Sequence, residues 1–257
     1  MLHARIIPCL LVHNQGLVKT VQFKEPKYVG DPINAVKIFN EKEVDELIVL
    51  DIDATAEGRE PDYKMIADLA AECRMPFCYG GGVKTAEQAV RIINLGVEKI
   101  AVSSAFVENI NLVSELATTV GTQSVVAVVD VKKVGLFGSY DVFTHNSRKK
   151  SKVDLVKFCQ NLEVAGAGEI VINSINQDGR MMGYDRKLIA KVREATNVPM
   201  TVLGGAGSLE DIRSLIDEYG IIGAAAGSLF VFKGVYRAVL INYPQQAEKD
   251  AIFNQEN

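Results

Sequence analysis

Glu46-Leu47-Ile48-Val49 recurs later in the chain as Glu169-Ile170-Val171-Ile172, and Gly81-Gly82 recurs as Gly204-Gly205 at the same offset. Self-similarity at a fixed spacing marks a duplicated structural unit. A second pair of runs sharpens the comparison. Val125-Val126-Ala127-Val128-Val129-Asp130-Val131 carries a carboxylate, whereas Ile6-Ile7-Pro8-Cys9-Leu10-Leu11-Val12 has Leu11 in its place. Duplication predicts two facing carboxylates, and one is present.

Outward from these runs, short β-rich segments near 5 to 12, 46 to 52, 76 to 80, 98 to 103, 124 to 131, 168 to 174, 199 to 204 and 222 to 227 alternate with helical patterns. That alternation predicts parallel strands joined by helices. The expected fold class is α/β, a single (β/α)8 TIM barrel over 1–257 built from two half-barrels, a fold that typically needs about 250 residues. Pro32 and Pro61 read as first-turn residues of helices, Thr85 and Ser208 as N-caps, and Gly96, Gly121 and Gly220 as C-terminal stops. The non-periodic segments 13 to 30 and 132 to 151 follow the first and fifth strands and read as long loops at the active face. The polar tail, 245–257, is expected to fray.

Of the 257 residues 48% are apolar, enough for a large core, and the formal net charge of −4 gives no global field for nucleic acid. Any anion must be held locally. Cys9, Cys73, Cys78 and Cys159 lie in apolar periodic segments without metal-type spacing, which reads as reduced, buried thiols rather than a metal site or disulfides. The N-terminus has no signal-peptide pattern, and no stretch approaches the roughly 20 apolar residues of a membrane span. The expectation is a cytoplasmic protein acting on a small molecule, with no metal, no cofactor, no nucleic acid and no membrane partner.

Gly80-Gly81-Gly82 ends one strand and Gly204-Gly205-Ala206-Gly207 ends its symmetry mate. Each next strand ends in small residues, Ser103-Ser104 in one half and Gly227-Ser228 in the other. Glycines at such turns let N–H groups approach an anion closely, so the pairs predict two phosphate cradles on one rim. The plainer reading is that glycine only permits tight turns.

Taken with Arg5-Ile6-Ile7-Pro8-Cys9-Leu10, Asp45 to Ile52, Val142-Phe143-Thr144, Gly166-Ala167-Gly168-Glu169, Asp178-Gly179 and Gly183-Tyr184-Asp185, these motifs resemble the cyclase subunit of imidazole glycerol phosphate synthase along essentially the whole chain. The resemblance implies a partner glutaminase on the N-terminal barrel face, ammonia crossing the barrel, and a bis-phosphorylated ribulosyl intermediate at the opposite rim. The chain itself lacks a glutaminase, since its histidines are His3, His13 and His145 and no cysteine sits in a nucleophile-elbow pattern. Arg5, Glu46, Lys99 and Glu169 open strands and match the family's ammonia gate; a neutral salt-bridge layer is the structural alternative.

The resemblance also implies two catalytic aspartates, one on the first strand and one on the fifth. Asp130 matches the second; Leu11 replaces the first and cannot transfer a proton. Lys19 matches the family's flexible-loop lysine. Asp178 and Gly179 match a phosphate-side turn, for which a purely turn-forming role is the alternative. Departures are Ser103-Ser104 where the family has Asn-Thr, Asn176-Gln177 before Asp178 where it has Asp-Arg, and Asp53 where threonine is usual. An ion pair with Lys132 or Lys133 is the bland account of Asp130, and a solvated charge run that of Ser147 to Lys152.

Four readings follow. A working histidine-pathway cyclase would need a substitute for Leu11, such as Asp53 or water. A divergent paralogue would support ammonia-dependent amidation of a nucleotide-linked sugar together with a sugar amidotransferase, which fits a retained gate beside a lost carboxylate. The remaining two are a non-catalytic ammonia conduit or scaffold, and a related isomerase barrel, which would lack the four-residue charged set.

Overall fold

The computed structural model describes residues 3–135 and 138–253. Its parallel strands are β1 (Arg5–His13), β2 (Leu47–Asp51), β3 (Phe77–Gly80), β4 (Lys99–Val102), β5 (Val125–Val134), β6 (Glu169–Ser174), β7 (Met200–Leu203) and β8 (Gly223–Ala226). They pair in the order β6-β7-β8-β1-β2-β3-β4-β5, and the β5–β6 ladder closes the ring. The structure is therefore a closed (β/α)8 barrel. Strands covered on both faces bury every residue, as β6 does, which is why they read in the sequence as unbroken apolar runs.

The longer helices between and after them are α1 (Pro32–Glu41), α2 (Tyr63–Glu72), α3 (Ala86–Asn94), α4 (Asn111–Val120), α5 (Leu155–Ala165), α6 (Arg186–Arg193), α7 (Leu209–Tyr219) and α8 (Gln246–Phe253). Thr85 and Ser208 cap α3 and α7 through reciprocal capping boxes, and Pro32 occupies the first turn of α1. Pro61 does not occupy a first turn: the Asp62 carboxylate accepts the Met65 N–H and caps α2, leaving Pro61 ahead of the cap. Gly121 and Gly220 end α4 and α7.

Alternation along the strands makes two cores. Residues such as Ile6, Leu10, Val49, Tyr79 and Ile170 point outward against the helices. The lumen holds Ile7, Cys9, Ile48, Cys78, Ala101, Val126, Val128, Val171, Leu203 and Ala225, with Leu11 and Leu50 packed at its upper end. Cys9, Cys78 and Cys159 are buried free thiols and Cys73 is half-buried.

Two expectations change. Segments 13 to 30 and 132 to 151 contain antiparallel hairpins rather than irregular loops: Gly16–Val21 pairs with β1 and with Lys24–Gly30, while Ser139–Thr144 pairs with the extension of β5 to Val134. Lys24–Gly30 is exposed at its first five positions and Gly16–Val21 is buried at four in succession, so neither shows the alternation that announces a strand. The tail is also ordered through Phe253. Its α8 packs on α7, Ile252 is buried, and the Lys249 Nζ lies 2.8 Å from Asp45 Oδ1. Just before it, the Tyr243 hydroxyl donates to the Ile6 carbonyl at 2.8 Å and accepts the Asp45 N–H at 3.2 Å, joining the starts of β1 and β2. Residues 254–257 lie outside the described residues.

Removing the Ile252 side chain tests whether the tail belongs to the fold. Ile252→Ala is expected to lower unfolding free energy by about 2 to 3 kcal/mol in urea titration, whereas a frayed tail predicts no change.

Candidate active site

The bottom of the barrel carries a charged layer. Arg5, Glu46, Lys99 and Glu169 stand at or beside strand starts, and Lys99 Nζ lies 2.8 Å from Glu46 Oε2 and 2.9 Å from Glu169 Oε2. Arg5 Nη2 lies 2.7 Å from Glu169 Oε1, and its Nη1 donates to Glu46. The Thr201 hydroxyl donates to Glu169 from β7. Burial alone would push Glu169 upward, but two adjacent cations outweigh it and hold the carboxyl below its ordinary range. The four residues thus form one interlocked, charge-neutral cluster across the N-terminal end.

At the C-terminal end a cavity of about 300 Å³ opens into the mouth, lined among others by Leu11, Lys19, Asp130, Asn173 and Asp178. The glycines of both halves sit on its rim. Their conformations are imposed by the protein itself: a Cβ on Gly81 would lie 2.6 Å from the Asp51 carbonyl oxygen, and one on Gly204 would lie 2.7 Å from that of Ser174. Both φ angles are positive, at 131° and 92°. Close backbone packing therefore accounts for glycine at both symmetry-related turns. Gly82, Gly205, Gly227 and Ser228 also line the mouth, as do Ser103 and Ser104, which sit at the start of the short helix Ser104–Glu108.

Asp130 faces the cavity from the point where β5 leaves the barrel and enters its hairpin. Its register partner on β6 is Asn173, whose Nδ2 donates to Asp130 Oδ1 at 2.9 Å, and the Ser103 hydroxyl lies 3.3 Å from Oδ2. Lys132 instead lies over the Phe143 ring, so the ion-pair account is replaced by neutral hydrogen bonds. Burial pushes the Asp130 carboxyl up to about 6, and the two donors offset only part of that rise. Such a group can hold or release a proton near neutral pH.

Lys19 lies on Gly16–Val21, folded down into the barrel, with its Nζ donating to the Cys9 carbonyl. Burial lowers its pKa against the pull of the Cys9 thiol and Asp178. The hairpin is clamped over the loop after β6: the Thr20 hydroxyl donates to Asp178 Oδ2 at 2.7 Å, and the Phe23 N–H reaches the same oxygen at 3.1 Å. A Cβ on Gly179 would lie 2.1 Å from the Thr20 carbonyl oxygen, so glycine permits that docking. The basic run divides, since Lys149 pairs with Glu108 and Lys150 with Asp141, leaving Arg148 to line the mouth.

Asn173 was not singled out in the sequence, although the repeat contains the signal. Leu50 occupies its position in the first copy, so a polar-for-apolar difference falls there as it does at Asp130 against Leu11. Register confirms the correspondence: Leu11 pairs with Leu50, and Asp130 pairs with Asn173. At this level of the mouth the pair from the first copy is apolar and the pair from the second polar.

Protonation of Asp130 has a stability signature. Its folded pKa lies above its ordinary value of 3.8, so the favourable contribution of the protonated form is complete below 3.8 and is lost as pH rises through about 6. Asp130→Asn, which cannot ionise, should gain stability relative to the parent chain across that interval and keep a constant advantage above it. Urea midpoints measured against pH check this; a difference independent of pH contradicts it.

Among known proteins, the family model for "Histidine biosynthesis protein" matches residues 5–237. The chain is 58% identical to "Putative imidazole glycerol phosphate synthase subunit hisF3" of Vibrio vulnificus (strain YJ016), over 97% of this chain and 96% of that protein. It is 56% identical to "Putative imidazole glycerol phosphate synthase subunit HisF" of Leptospira interrogans, covering 98% and 100%. Identity is 39% to "Imidazole glycerol phosphate synthase subunit HisF" of Hyphomonas neptunium (strain ATCC 15444), covering 90% and 91%. A barrel with this layered interior and near-complete matches to such relatives belongs to the histidine biosynthesis protein family of imidazole glycerol phosphate synthase HisF subunits.

Proposed function

We propose that this chain is the barrel subunit of a glutamine-dependent synthase, diverged from histidine-pathway ring closure toward ammonia-dependent amidation of a nucleotide-linked sugar. A glutaminase docks on the N-terminal face and releases ammonia beneath the Arg5, Glu46, Lys99 and Glu169 gate. Neutral ammonia crosses a lumen of alkyl and thiol groups, whereas ammonium would have to shed its hydration there, a cost of several kcal/mol. The acceptor meets it at the mouth, its phosphoryl groups held by the rim at Gly81, Gly82, Ser103 and Ser104 on one side and Asp178, Gly179, Gly204, Gly205, Gly227 and Ser228 on the other. Of these, Asp178 contributes through its turn and its clamp on the hairpin. A sugar amidotransferase is the further partner that this reading calls for.

The observation that carries this reading is the split mouth. Leu11 and Leu50 continue the apolar lumen upward on one side, opposite Asp130 and Asn173. Ring closure by paired carboxylates needs an acid and a base on opposite sides of the reacting group, and the first half-barrel offers a hydrocarbon surface at that level. Asp130 and Lys19 remain in the mouth, which favours chemistry there over a passive conduit.

The reading is tested with ammonium salts and the family's bis-phosphorylated ribulosyl substrate. The parent chain should turn it over at least about 100-fold more slowly than Leu11→Asp, the usual scale for one member of an acid/base pair. Rapid turnover by the parent chain, with no gain from Leu11→Asp, would establish it as a working histidine-pathway cyclase instead.

A further inference from the structure

Leu11 and His13 are two residues apart on β1, so their side chains leave the strand on the same side, with His13 one pleat, roughly 6 to 7 Å, farther along the strand toward the outer mouth. Both line the cavity that contains Asp130. β1 and β5 stand on opposite sides of the ring, four strands apart in the pairing order. The half-barrel that lacks a carboxylate at Leu11 therefore carries a different ionisable side chain directly above it.

His13 is held by a built set of partners. Its Nδ1 lies 2.7 Å from Asp53 Oδ1, and the Asn14 backbone N–H donates to Asp53 Oδ2 at 2.8 Å. Asp53 is buried at 7% exposure, whereas the His13 side chain retains 34%. A carboxylate on Nδ1 makes that nitrogen the donor and leaves Nε2 as the acceptor, 3.1 Å from Asn14 Nδ2. The same carboxylate steadies the imidazolium that forms when Nε2 takes up a proton. Beyond this pair stand Asp51 and Arg59, Lys19 lies on the strand paired with β1, and Asp130, Asp178, His145 and Arg148 line the same mouth.

We infer that His13, oriented by Asp53, is the proton acceptor that works opposite Asp130 in place of the missing first-strand carboxylate. The inference rests on the reading that ammonia meets a carbonyl-type carbon at this mouth. As the N–C bond forms at an acyl carbon activated as an ester of phosphate, the co-substrate that amidation requires, the C=O electron pair moves to oxygen, where the proton held by Asp130 steadies it. His13 Nε2 takes the proton that nitrogen sheds. The C=O bond then re-forms as the C–O bond to phosphate breaks, and the departing phosphate takes the proton from His13. Both groups return to their starting states, and one amide and one phosphate form per ammonia. His13 touches the reacting nitrogen; Asp53 is a positioning residue.

The test uses full-length variants in cells lacking the chromosomal gene, with readout of the small molecule that the deletion abolishes. His13→Gln and Asp53→Asn should each lower that product at least about tenfold, a conservative fraction of the usual general-base effect, with unchanged melting temperatures. Asp53→Glu, which keeps the carboxylate, should recover most of it. Full product from His13→Gln, or a loss that merely follows a fall in melting temperature, overturns the inference. The identity of the missing product is a separate readout: loss of histidine instead of an amidated sugar contradicts the proposed function and leaves the dependence on His13 to be judged by itself.

Discussion

Parallel pairing of β5 with β6 turns an eight-strand sheet into a ring, and nearly every other feature depends on that closure. Once closed, alternate residues of all strands share one interior column, and position along the strand becomes height in the column. Strand starts supply the charged layer, middles the apolar lumen, and ends the mouth. The axis thus separates groups that could not coexist at one level: ion pairs below, hydrocarbon between, and a proton-holding carboxyl above.

The two ends treat a buried carboxyl in opposite ways. Glu169 loses hydration but gains Arg5 and Lys99, and its ionised form prevails. Asp130 loses hydration and gains only the Asn173 amide and the Ser103 hydroxyl, which leaves its carboxyl raised to about 6. Desolvation is common to both, so the charge of the neighbours decides the outcome. Breaking the lower cluster at one member would strand a buried charge, typically about 3 to 5 kcal/mol. The upper carboxyl is less stable when ionised and chemically more useful.

Much of this was legible in the sequence because duplication supplied an internal comparison. Strand positions followed from apolar runs, and the charged set from residues opening them. The Asp130 and Leu11 contrast also emerged at that level. The Leu50 and Asn173 contrast is less legible, since a buried asparagine in an apolar run has no standard signature. The hairpins after β1 and β5 were hidden for a different reason: the first lacks regular alternation and both pair antiparallel, so neither period nor helical crossover marks them. The His13–Asp53 contact depends on the parallel pairing of β1 with β2, which sets two strand ends side by side. Lys19 was recognisable from resemblance, but its folded-in position on a strand required the structure. Pro61 and the tail show a third limit, because Asp62 and Ile252 matter through a cap and a tertiary contact that local composition does not rank.

In the proposed function, ammonia passes internally through the charged layer and the apolar lumen to a mouth where β1 carries Leu11 and β5 carries Asp130. The most direct measurement supplies this chain, in complex with the glutaminase proposed as its partner, with glutamine labelled with nitrogen-15 in the side-chain amide, in the presence of excess unlabelled ammonium, and follows the isotope into product. Internal delivery predicts product carrying the glutamine label with little dilution. Product nitrogen that matches the bulk ammonium pool would contradict the account.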